Sequence, residues 1–95
     1  MAHPLAEFKP VPPHVAEAWS NSLDNAAQAN DPTTALGQAR FRQAVQEMAR
    51  PVRVERLRDV VAHFGGRLVG NESRAVTVQT LVQVWTDRTR GQVAP

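Results

Sequence analysis

Seven prolines punctuate this 95-residue chain, and their placement constrains the fold more than any other feature. Proline lacks a backbone donor and its ring clashes with the preceding turn, so it can open a helix but breaks one from inside. Pro4, Pro10, Pro12 and Pro13 crowd the first residues, where they deny donors to any β-ladder and favour an extended entry arm, loosely held. Pro32 and Pro51 then cut the rest of the chain into segments of helical length.

Within those segments the apolar residues keep helical spacing. Val15, Trp19, Ser22 and Ala26 fall at i, i+4, i+7 and i+11, with Ala18 and Leu23 flanking and Glu17, Asp24 and Gln28 opposite. This predicts a first helix over 13–29 with one buried tryptophan. Asn30-Asp31-Pro32 stops it and starts the next, because Asp31 is a good N-cap and Pro32 suits a first helical turn. The second helix, 32–49, carries Gly37, Phe41, Ala44, Val45 and Met48 on one face, with Leu36 nearly opposite. A third, 52–64, aligns Val54, Leu57, Val60, Val61 and Phe64 and ends at Gly65-Gly66, which tolerate the left-handed conformation of a C-cap.

Residues 66–73 read as a connecting loop. The segment Val76–Trp85 fits two periods: Val76, Val78, Thr80, Val82 and Val84 alternate as in a strand, while Val78, Leu81, Val82 and Trp85 form a helical stripe. Only the helix keeps Leu81 and Trp85 off the face that carries Gln79 and Gln83, so a fourth helix is expected over 74–90, with Gly91 as its stop. The expected architecture is therefore all-α: a compact four-helix domain over 13–90, a flexible Pro-rich arm over 1–12 and a frayed tail over 91–95. Trp19, Phe41, Val45, Leu57, Val61, Phe64, Leu81 and Trp85 form its expected centre. The alternative pairs Leu68-Val69 with Val76-Thr77-Val78 as a short C-terminal β-hairpin, a winged-helix-like arrangement.

A single domain of this size buries roughly two thirds of its unfolded surface, enough for one modest core and no deep pocket, which argues against an enzyme and against a small-molecule substrate. The chain has no cysteine, so disulfides, thiolate metal sites and thiol catalysis are excluded. It shows no secretory leader and no apolar run long enough to span a bilayer, and it reads as cytoplasmic without membrane association. His3, His14 and His63 include no pair at i, i+3 or i+4, so no metal site is expected. Ser20, Ser22 and Ser73 have no partner set that the sequence places beside them. Gly65, Gly66 and Gly70 match no phosphate-loop spacing, and Asn71-Glu72-Ser73 is too short a motif to carry meaning. No cofactor is expected.

The charges are split. Residues 1–37 hold Lys9 against four acids, whereas residues 38–95 hold ten arginines against five. Such a split points toward a polyanion or an acidic partner surface, although an arginine excess this large over lysine also suits a GC-rich bacterial or phage genome. On the third helix Glu55 and Asp59 would occupy the solvent pole and pair with Arg58 and Arg56, which makes it a poor reader of phosphates. The fourth helix is more open to that role. Arg74, Thr77, Gln79, Thr80, Gln83, Arg88 and Arg90 are hydrogen-bonders of the kind that read base edges and phosphates, or an acidic partner. The connection that precedes this helix is longer than a helix-turn-helix normally uses. Leu36, with Arg40 one turn on, marks a candidate protein-contact face on the second helix, and opposite charge in the two halves permits pairing between copies. The expected function is that of a small non-enzymatic regulator or adaptor that contacts another protein or itself. DNA binding of helix-turn-helix or winged-helix type through 74–90 is the alternative.

Overall fold

The computed structural model describes residues 7–93, which form four helices and no strand: α1 Pro13–Ala29, α2 Ala35–Ala49, α3 Val54–His63 and α4 Arg74–Val93. The all-α expectation holds and the hairpin alternative is not supported: Leu68 and Val69 lie in the connection, and Val76–Val78 are helical. Helix α4 packs on each of the other three and supplies Val78, Leu81, Val82 and Trp85 to a core completed by Leu23, Phe41, Val45, Ala49, Leu57 and Val61. Burying each large member of that set is worth about 1.5–3 kcal/mol.

A β-branched, threonine-rich segment forms α4 because its hydroxyls find acceptors inside the helix. Thr77, Thr80, Thr86 and Thr89 donate to the carbonyls of Ser73, Val76, Val82 and Trp85, at 2.7, 2.9, 2.8 and 2.9 Å. Thr77 and Thr86 are fully buried yet satisfied, so the core accepts them at little cost. Ser73 caps the start of α4, its Oγ accepting from the Val76 N–H at 3.2 Å. The helix passes through Gly91, the expected stop, and continues to Val93.

Three further boundaries differ from the sequence reading. Helix α2 starts at Ala35, capped by Thr34, whose Oγ1 accepts from the Gly37 N–H at 3.0 Å. Asp31, the expected cap, instead closes the turn before it, accepting from the Thr33 N–H at 2.9 Å and the Thr33 hydroxyl at 2.6 Å. Gly37 is the residue this turn requires: a Cβ there would lie 1.8 Å from the Asp31 carbonyl oxygen. Helix α3 is shorter at both ends than expected. It closes with bonds from the Gly65 N–H to the Ala62 carbonyl and from the Gly66 N–H to the Val61 carbonyl, with Gly65 at φ +92°.

The centre of the core also shifts. Leu23 takes the fully buried position on α1, and Trp19 is only half-buried, packed against the edge of the core. Phe64 is likewise half-buried, stacked edge-on against Trp85 at 5.0 Å between ring centroids.

Candidate functional site

Helices α1 and α3 each pack on α4 or α2 more than on each other, and Trp19 looks out between them. Two adjoining hollows share its side chain. One, of about 280 Å³, is lined by Val11, Pro12, Val15, Val52 and Val60 with Arg56 and Asp59. The other, of about 220 Å³, is lined by Ala18, Ser22 and Met48. Together they form an apolar groove floored by Trp19. Its α1 wall is uncharged because Glu17 and Asp24 lie on the opposite flank of that helix, where Asp24 accepts the Trp85 indole N–H at 3.0 Å. The Trp19 indole N–H makes no hydrogen bond among the described residues, in contrast to that of Trp85.

Residues 7–12 lead into α1 without regular structure, and Val11 and Pro12 close one end of the groove. The Lys9 backbone N–H donates to Asp59 Oδ1 at 3.0 Å, and Asp59 is 8% exposed. This corrects the placing of Asp59 at the solvent pole of the third helix, since the arm covers it. The expected pairs of Arg56 with Asp59 and of Glu55 with Arg58 do not form either. Arg58 donates through Nε and Nη2 to the Glu72 carbonyl, the former at 2.9 Å, and the one ion pair among the described residues is Arg50–Glu47 at 2.7 Å. Arg53 and Arg56 stay exposed at the α3 rim, with no side-chain hydrogen bond or ion pair among the described residues.

The residues proposed for a polyanion divide. Thr77 is buried and offers no surface, because its face of α4 is the core face. Arg74 turns back to cap α2, with Nη1 donating to the Ala49 carbonyl at 2.8 Å. Arg88 lies over Trp85 at 4.4 Å from the ring centroid and over Phe64 at 5.4 Å, and donates to the Phe64 carbonyl at 3.4 Å. Gln79, Thr80, Gln83 and Arg90 share the outer side of α4, but Asp87 stands among them and holds Gln83 at 2.9 Å. The structure does not bring the three arginines to one face. Leu36 is 63% exposed, as expected, and Arg40 is exposed one turn further on.

The loop between α3 and α4 is organised by Glu72, whose carboxylate accepts from the Val69 N–H and, at 2.9 Å, from the Gly70 N–H. The Val69 bond is the main reason that its pKa is held below the usual glutamate range. Asp31 is lowered in the same way, first by the Thr33 hydroxyl and then by the Thr33 N–H. These carboxylates have structural roles. No group of three or more His, Cys, Asp or Glu among the described residues could hold a metal ion, and no helix among them is long and apolar enough to cross a membrane.

Sequence reasoning missed the groove. The available signal was the charge asymmetry of α1: one flank bears Val15, Ala18, Trp19, Ser22 and Ala26 without a charge, wider than a helix needs to cover one neighbour. No family model, curated protein or solved structure matches this chain.

Proposed function

We propose that this chain is a small non-enzymatic regulatory or adaptor protein of the cytoplasm, working by holding an apolar segment of another protein against Trp19. The observation that carries the reading is the open groove that α1 lines on one side and the end of α2 and α3 on the other: a half-buried tryptophan flanked by Val15, Val52, Val60 and Met48. Tryptophan gives more contact energy per residue than most side chains when a partner removes its water, and anchors of this kind dominate protein interfaces. DNA binding receives less support, because Arg74 and Arg88 are engaged by carbonyls and aromatic rings of the chain itself. Counterion release needs several arginines directed outward together.

Photo-cross-linking in the native host tests the reading. A benzophenone side chain in place of Ala18, on the groove wall, is expected to trap a defined protein, and the same group in place of Gln43, exposed on α2, is expected not to. Equal adducts at both positions, or none at Ala18, would remove the groove from the function. A stable complex with duplex DNA at about 50 mM salt, weakened by Arg90→Ala, would favour the alternative.

A further inference from the structure

Resting on that reading, the geometry points to one occupant for the groove: an amphipathic helix of a partner protein, about two turns of it engaged, with acidic residues along one side of its apolar stripe. The described residues contain no strand, hence no sheet edge to which an extended peptide could add, and the apolar wall of α1 from Val15 to Ser22 is about 10 Å long. The two hollows are offset along α1 by about one helical turn, which matches apolar side chains spaced i and i+3 or i+4 on a helix.

Charge decides the rest. Arg56 lines the groove on its α3 side, with Arg53 one turn before it, and the α1 side carries no charge; Arg53 borders the neighbouring cavity, which Glu7, Lys9 and Glu55 also line. The acid that lines it, Asp59, already accepts the Lys9 N–H and is almost fully covered, so it presents little to a partner. The polar groups left open there can all donate: two guanidinium groups, the Trp19 indole N–H and the Ser22 hydroxyl. A partner carboxylate satisfies them, whereas a partner lysine beside Arg53 and Arg56 meets like charge.

The test uses two labelled peptides of roughly 18 residues with the same leucine stripe at i, i+3, i+4 and i+7, one carrying glutamates beside the stripe and the other lysines. Fluorescence anisotropy with the full chain is expected to show the acidic peptide bound at least about tenfold more tightly. Arg53→Glu with Arg56→Glu is expected to reverse that order. Ala18→Arg, a change at an exposed position that fills one hollow, is expected to abolish binding, and circular dichroism checks that it folds. If both peptides bind equally and Ala18→Arg abolishes both, the acidic partner is overturned and the groove reading stands. If neither peptide binds, or Ala18→Arg has no effect, the groove itself is overturned as their site. Should sedimentation equilibrium show the chain dimeric and Ala18→Arg monomeric, the occupant is a second copy and the heterologous helix is overturned.

Discussion

Replacing Gly37 with alanine gives a prediction whose sign opposes helix propensity. Alanine is worth about 1 kcal/mol more than glycine in a helix interior, so the substitution would stabilise an unobstructed site. At position 37 the new Cβ would lie 1.8 Å from the Asp31 carbonyl oxygen and 2.7 Å from Thr34 Oγ1. Relief requires that the turn move, and three bonds hold it: Asp31 carbonyl to the Thr34 N–H at 3.3 Å and to the Thr34 hydroxyl at 3.1 Å, and Thr34 Oγ1 to the Gly37 N–H at 3.0 Å. Losing them costs about 1 kcal/mol each, a cap included, which leaves a net destabilisation of about 2 kcal/mol. In a domain of this size that lowers Tm by roughly 10 °C. Gly91 is the internal control. It is exposed within α4 and a Cβ there meets nothing within 4 Å, so Gly91→Ala should stabilise by about 0.5–1 kcal/mol. Urea unfolding followed by far-UV circular dichroism measures both. A Gly37→Ala protein as stable as the parent would refute the close packing of the α1–α2 turn.

Two further predictions concern the α3–α4 loop and the arm that leads into α1. Because the Glu72 pKa is depressed in the folded chain, its contribution is complete above the ordinary value of 4.5 and is lost as the pH falls through the lower folded value. The Val69 and Gly70 amide resonances should therefore shift together at acid pH, and Glu72→Ala should remove that titration. Asp59→Ala should release the arm, seen as lost hydrogen-exchange protection at the Lys9 amide with little change in the protection of α4; unchanged protection at Lys9 would exclude the Asp59 contact in solution.

What could be read from the sequence was set by local physics, and what could not was set by distant neighbours. Pro13, Asn30 and the Gly65-Gly66 pair define helix ends by backbone geometry alone, and α1 has the expected bounds. Trp85 and Leu81 belong to a stripe that only one helical face can bury, and both are in the core. Trp19 failed the same test because an apolar stripe more than 100° wide does not say which of its members a neighbour will cover. Leu23 is fully buried in the core, while Trp19 lies at its edge beside Val52, Val60 and Met48. Asp59 is covered by a segment 50 residues away, and Arg74 finds its acceptor 25 residues back, at a helix end. Carbonyls freed at helix ends accept from arginines that reach them, and no spacing rule anticipates which arginine does. The charge split of the sequence thus overstated the basic surface, since three arginines of its second half are spent on backbone oxygens.

Acrylamide quenching of tryptophan emission tests the groove most directly, because Trp85 is 2% exposed and Trp19 is half-buried at the surface. Quenching in the free protein should come almost entirely from Trp19 and should disappear in Trp19→Phe. Saturation with the acidic amphipathic peptide should reduce it to the level of that variant. A peptide that binds and leaves the quenching unchanged, or that fails to bind at all, would contradict the assignment of the groove as the site of partner contact.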